Sequence, residues 1–257
     1  MIANYHTHTP RCKHAEGEER QYVERAVEAG FVELGFSDHT PYFFDNSDYY
    51  SSFRMRPEQL EDYVSTLLAL RAEYRDWISL YLGLEAEFYP KLFPKLLDFL
   101  RQFPLDYLIL GQHALYNETE GIFSPRPTGD EKLLDQYRAQ TTEALESGLF
   151  SYFAHPDLFH FTGDHNVYER HVRAICRKAE ELSIPLEFNL LGFSEGKHYP
   201  NPVFWRIAGE EGCTVILGSD AHTPLDTWNP ALIARAEALL AELGIHPIEH
   251  LTLRSIH

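Results

Sequence analysis

Cysteine is scarce: only Cys12, Cys176 and Cys213 occur, far apart and without a CxxC pair. So odd and scattered a set excludes a disulfide framework and points to a reducing compartment. Long apolar runs are missing as well, and no stretch approaches the ~20 residues that a membrane helix needs. The opening MIANYHTHTP has neither the basic n-region nor the apolar h-region of a signal peptide, so a cytoplasmic protein with no membrane partner is expected. Basic residues are few, 22 Lys and Arg against 39 Asp and Glu, which leaves a formal net charge of −17. A surface of that sign repels polyanions and argues against nucleic acid as a partner, unless bound cations invert the field locally. Repeats, low-complexity tracts and linkers are also absent. The 257 residues are therefore expected to form one domain, 1–257, long enough to bury a sizeable core.

What the chain does have is a regular alternation of element types. Short β-rich runs at residues 2–5, 32–36, 79–84, 107–110, 152–154, 186–188 and 214–217 alternate with longer amphipathic stretches. The latter predict helices over 18–29, 57–74, 94–102, 131–146, 167–182 and 202–211, with a last one near 231–243 for which Asn229 and Pro230 read as cap and first residue. Seven β–α alternations imply a parallel sheet with helical crossovers.

Just past each predicted strand stands a residue able to bind a metal. These are His6 and His8 in HTH, Asp38 and His39 in SDH, Glu85 and Glu87 in GLEAEF, His113 in LGQHAL, His155 in FAHPD, Glu187 and Asn189 in LEFN, and Asp220 and His222 in GSDAH. His14 follows closely after HTH, beyond a sharp turn. A lone histidine is more often a buried, hydrogen-bonded side chain than a ligand. Recurrence at equivalent topological positions has no such packing explanation. In a closed β/α barrel all these strand ends share one rim, where barrel enzymes do their chemistry, whereas the outer strands of an open sheet would lie too far apart to share an ion. Seven imidazoles and two carboxylates, without thiolates, suit Zn, Mn or Fe as divalent ions. They suffice for two or three ions if one carboxylate bridges.

The order HTH, H, SDH, GLE, H, HPD, GSDAH resembles the polymerase and histidinol phosphatase (PHP) family, and more closely its histidinol-phosphatase branch, from residue 2 to about 224. The resemblance implies a distorted (β/α)7 TIM-like barrel with a trinuclear metal site. It implies that His6, His8, Glu85 and Asp220 hold the first ion, that Glu85, His113 and His155 hold the second with Glu85 bridging, and that His14, His39 and His222 hold the third. Glu87 fits no ligand position of the family and is expected behind a ligand; Asp38 is a candidate to orient an imidazole. The expected reaction is hydrolysis of a small phosphate monoester, L-histidinol phosphate, by water activated at the metals, with Asp220, His222 and Glu85 as catalytic residues. A phosphoesterase acting on another small molecule or a nucleotide, or an amidohydrolase, are the alternatives.

Arg54 and Arg56 in FRMRPEQ are expected to donate to the phosphate, with Lys197 and His198 as further substrate contacts. Residues 116–130 are expected to form a loop over the fourth strand end, and aromatics in 41–50 and 159–161 are candidates to line the pocket. At the sixth strand end the chain reads Asn189-Leu190-Leu191-Gly192-Phe193-Ser194, where the branch typically carries an arginine toward its substrate. Nothing in the sequence indicates the oligomeric state.

Overall fold

The computed structural model describes residues 1–45 and 48–257. Its strands β1 (Ala3–Asn4), β2 (Glu33–His39), β3 (Ser79–Ala86), β4 (Tyr107–Leu110), β5 (Phe150–Phe153), β6 (Leu186–Asn189) and β7 (Val215–Gly218) form one parallel sheet in sequence order. Between and after them lie α1 (Glu19–Glu28), α2 (Leu60–Tyr74), α3 (Phe93–Leu100), α4 (Glu131–Glu146), α5 (His165–Glu181), α6 (Leu190–Glu195), α7 (Pro202–Glu210) and α8 (Pro230–Glu242). The sheet closes at its C-terminal rim. Thr7 and Ala221 form a parallel bridge, with His8 N–H donating to the Ala221 carbonyl at 2.9 Å and Ala221 N–H to that of His6 at 3.1 Å. The result is a (β/α)7 barrel, as expected.

Strand alternation decides which side chains enter the barrel. In β4, Leu108 and Leu110 face the main core under the helices, while Tyr107 and Ile109 join an inner cluster with Tyr5, Tyr152 and Ile216. The same parity in β3 sends Leu80, Leu82 and Leu84 outward and leaves Glu85 facing in. In β6 it sends Leu186 and Phe188 outward and leaves Glu187 and Asn189 facing in. Below the inner cluster the C-terminal tail closes the floor. Ile248 bridges Ile216, Leu251 and Leu253 pack on the inner aromatics, and Arg254 N–H donates to Ser151 Oγ at 2.9 Å. The interior is thus filled from below and open only at the rim.

Helices α5, α7 and α8 start on side-chain caps, the last at Asn229 as expected. Asp164 accepts from the backbone N–H groups of Asn166 and Val167, Asn201 from Val203 and Phe204, and Asn229 from Leu232. One element has no counterpart among the expected helices: residues 190–195 form the short helix α6. Its cap is Asn189, whose Oδ1 accepts from Gly192 N–H at 2.8 Å. The cap sits inside the strand end itself, so no separate loop residue marked it.

Candidate metal centre

The rim gathers all nine residues expected to bind metal. Glu85, 1% exposed, stands at the centre. Its Oε1 lies 2.8 Å from His155 Nε2 and 3.5 Å from His113 Nε2. Its Oε2 lies 3.0 Å from His39 Nδ1, 3.6 Å from His8 Nε2 and 3.7 Å from His6 Nε2. One carboxylate therefore faces two sets of imidazoles, one with each oxygen. Asp220 Oδ1 completes the second set at 3.1 Å from His8 Nε2 and 3.5 Å from His6 Nε2. Toward solvent, His14, His39 and His222 bring one ring nitrogen each within 4.8 Å of one another. His8 and His222 stack at 4.2 Å between ring centroids, and His14 and His222 lie 4.6 Å apart.

Behind these side chains stands a layer of acceptors. His6 Nδ1–H donates to Glu187 Oε2 at 2.8 Å, and His113 Nδ1–H donates to Glu87 Oε1 at 3.0 Å. Each carboxylate fixes the tautomer that leaves Nε2 bare on the side of Glu85. His14 and His222 use backbone instead, their Nδ1 atoms lying 2.8 Å from the Cys12 carbonyl and 2.9 Å from the Asp220 carbonyl. Asp38 lies 3.5 Å from His8 Nδ1 and is itself held by the Thr9 hydroxyl. Asn189 Nδ2 donates to Glu187 Oε1 at 2.8 Å and to Asp220 Oδ2 at 3.1 Å, so the cap of α6 also steadies a rim carboxylate.

The protein holds these groups at a cost. His155 and Asp220 adopt positive φ, 32° and 50°, a conformation that is expensive for residues with a Cβ and that clusters at functional sites. At Gly111 a Cβ would lie 1.8 Å from Glu85 Oε1, and at Gly218 one would lie 2.2 Å from Glu187 Oε2. Both carboxylates are therefore admitted by a bare backbone on the neighbouring strand. Glu85 Oε2, His6 Nε2, His39 Nδ1 and His222 Nε2 are buried with no hydrogen-bond partner among the described residues. Such orphans cost on the order of 1–3 kcal/mol each, and mutually facing lone pairs on nitrogen and oxygen are what a divalent cation satisfies.

Electrostatics agree with this fit. Burial opposes ionisation of Glu85, but the imidazoles of His113, His39 and His6 outweigh it and hold the carboxyl well below its ordinary range. Asp220 is likewise held down by His6 and His8 against the effect of burial. Burial pushes His39 and His222 down to about 3, so both keep a free lone pair at neutral pH. His6 goes the other way, up to about 10, because Glu187, Asp220 and Glu85 outweigh its burial. A cation at the centre would compete directly with that extra proton.

The centre opens into a cleft of about 540 Å³ whose lining includes Phe53, Phe123, Leu191, Lys197, Tyr199 and Asp226. The expected phosphate donors are largely elsewhere. Arg54 is 2% exposed and spends its guanidinium on Glu87, Glu118 and the Thr40 carbonyl. Arg56 is exposed and lies over the Tyr50 ring, 4.7 Å from its centroid, beside a separate small pocket. His198 turns away to the Leu158 carbonyl at 2.8 Å and stacks on His160 at 4.1 Å. Lys197 does reach the cleft, paired with Glu195 at 2.6 Å. Phe123 and Pro125 of the 116–130 loop form a wall, anchored where Ser124 N–H donates to the His113 carbonyl at 2.8 Å. The wall aromatics are Phe53, Phe123 and Tyr199, not those of 159–161 or the described part of 41–50; Asn46 and Ser47 lie outside the described residues. Glu118 was not expected at the site, and Glu187, counted among the strand-end residues able to bind a metal, stands instead behind His6 as a hydrogen-bond acceptor.

Comparison with known proteins follows the same pattern. A probable histidinol-phosphatase of Deinococcus radiodurans is 33% identical over 236 residues, covering 87% of each chain. The histidinol-phosphatase of Bacillus subtilis is 27% identical over 249 residues, 84% of this chain and 92% of that one. A crystal structure of histidinol phosphate phosphatase from Lactococcus lactis, complexed with zinc, L-histidinol and phosphate, superposes with a TM-score of 0.75 at 20% identity. That superposition spans 98% of this chain and 97% of the other, a likeness of fold. The family model of the PHP domain matches residues 4–190, and with it the chain belongs to the PHP domain family.

Proposed function

We propose that the chain is a metal-dependent phosphomonoesterase that hydrolyses L-histidinol phosphate to L-histidinol and phosphate. The observation that carries this reading is Glu85, whose two oxygens face separate imidazole sets with Asp220 alongside. His6, His8, Glu85 and Asp220 would hold a first divalent ion, Glu85, His113 and His155 a second, and His14, His39 and His222 a third. Divalent ions there supply positive charge for a phosphoryl group and lower the pKa of water to near neutrality. The names of the curated relatives, and the zinc, L-histidinol and phosphate in the Lactococcus lactis protein, support this choice of substrate and metal.

The chain's own residues do the rest. Asp220 and His222 lie 3.4 Å apart at the cleft floor; with both deprotonated at neutral pH they would act through the ions they hold, and the departing alkoxide would draw its proton from solvent. Lys197 is placed to meet an anionic group in the cleft, and Phe53, Phe123 and Tyr199 to close around an aromatic leaving group. Glu187, Glu87 and Asp38 keep the imidazoles in the binding tautomer. No described helix is long and apolar enough to cross a membrane, and all three cysteines are buried and unpaired, in keeping with a small-molecule enzyme of the cytoplasm.

The test is a substrate panel run with metal analysis on the purified protein. It compares histidinol phosphate, p-nitrophenyl phosphate, a phosphodiester, a short oligonucleotide and an amidohydrolase substrate. Preferential turnover of histidinol phosphate with two or three ions per chain is expected. Preference for the diester, or two ions bridged by a modified lysine, would remove the proposal.

A further inference from the structure

Arg54 is a buried cation that does not itself line the cleft, and its surroundings assign it another task. An arginine offers five N–H donors in a rigid fork, and here four of them are hydrogen-bonded while Nη2 also makes an ion-pair contact. Nε donates to Glu118 Oε2 at 2.8 Å. Nη1 donates to the Thr40 carbonyl at 3.1 Å and to Glu87 Oε2 at 3.0 Å. Nη2 donates to Glu87 Oε1 at 2.9 Å and lies 2.7 Å from Glu118 Oε2. These partners come from the chain just after β2, from the end of β3 and from the loop after β4, so one guanidinium ties three neighbouring segments of the rim together.

Two relays lead from it to the metal-type imidazoles. Glu87, fully buried and gripped by both Nη atoms, accepts Nδ1–H of His113, whose Nε2 faces Glu85. The guanidinium also lies over the Phe53 ring at 4.4 Å. That ring stands edge-on to His39 at 5.2 Å and lies 6.0 Å from His113. A lysine could not copy this, since it has three donors and no planar fork.

Building on the metal-dependent reading above, we infer that Arg54 is a positioning residue for the metal centre. It locks Glu87 so that His113 presents Nε2, and through Phe53 it braces His39. It binds no phosphate.

The test measures metal affinity by competition with a chelator, with no ester present, so that it can fail independently of the phosphatase reading. Arg54→Met, Arg54→Lys and Glu87→Gln are compared with the unaltered protein, each checked for folding by far-UV circular dichroism. Loss of outer hydrogen-bond partners of this kind costs about 10–100-fold in metal affinity, and that loss is expected in all three. Direct binding of inorganic phosphate, measured by calorimetry at saturating metal, is expected to stay within about twofold. Nitrogen-15 spectra of the metal-free protein should show His113 protonated at Nδ1, with a tautomer mixture in Glu87→Gln. If Arg54→Met does not fold, Arg54→Lys and Glu87→Gln carry the test. Unchanged metal affinity in the folded variants overturns the inference. So does a tenfold loss of phosphate binding with metal affinity intact, which would make Arg54 a phosphate donor after all.

Discussion

A single methyl group placed at Gly111 should disable the metal centre while leaving every proposed ligand in the chain. The Cβ of Gly111→Ala would lie 1.8 Å from Glu85 Oε1. An ordinary carbon contact needs about 3.5 Å, so the carboxylate must retreat by roughly 1.5 Å. It has nowhere neutral to go, because Oε1 is fixed 2.8 Å from His155 and Oε2 3.0 Å from His39. A misplacement of about 1 Å in a reacting assembly can cost on the order of 100-fold, equivalent to about 2.7 kcal/mol in the transition state. Overpacking of the site should add about 1–3 kcal/mol of destabilisation, a fall in Tm of roughly 2–10 °C for a chain of this size. The assay is phosphate release from histidinol phosphate, with metal content per chain and a thermal scan on the same preparation. A folded Gly111→Ala protein with near-normal turnover and full metal content would refute the central role given to the Glu85 position.

Other outcomes follow from the same geometry. Glu85→Ala should lose metal and nearly all activity, measured by elemental analysis and turnover; full metal retention would contradict the bridging role. Glu187→Gln, which weakens the acceptor behind His6, should reduce metal affinity about 10–100-fold with the fold intact. Lys197→Met should raise KM for the phosphate ester with metals unchanged, and unchanged kinetics would return Lys197 to its pairing with Glu195. Buried Asp157, pushed up to about 6 from 3.8 by burial, gives a pH test. A raised carboxyl pKa stabilises the fold below the unfolded value, and that contribution is lost as pH rises through about 6. The stability advantage of Asp157→Asn over the unaltered protein should therefore be larger at pH 8 than at pH 3, by about 3 kcal/mol; denaturant titrations showing no pH dependence in that difference would exclude it.

The barrel and its ring of metal-type residues were legible because each sits beside its own strand, in a short motif such as HTH, SDH or GSDAH that local parity can orient. Family resemblance added the grouping of those residues into sites. What stayed hidden was everything whose partner lies far along the chain. Arg54 next to Arg56 looks like a basic pair before a helix, and only the fold reveals Glu87 and the distant Glu118 closing around one of them. His198 beside Lys197 looked equally available until the turn of the backbone sent it to Leu158. Helix α6 escaped because Asn189 serves at once as strand end and cap. The C-terminal tail has no periodic pattern, since its residues plug a hole instead of lying on a face.

Strand β1 is two residues long, and the seam with the far end of the chain is held by the bridge of Thr7 with Ala221, by Glu16 N–H donating to the His222 carbonyl, and by Ser219 N–H donating to the Asn4 side-chain oxygen, a contact across 215 residues of sequence. His8 and Asp220 stand on opposite sides of that seam, 3.1 Å apart. A cation shared between them would work as a removable cross-link, closing a very long loop as a disulfide would in a chain that has none to spare. Withdrawal of the ion should then be felt first as faster amide exchange in the opening and closing segments of the polypeptide, well before the helices loosen.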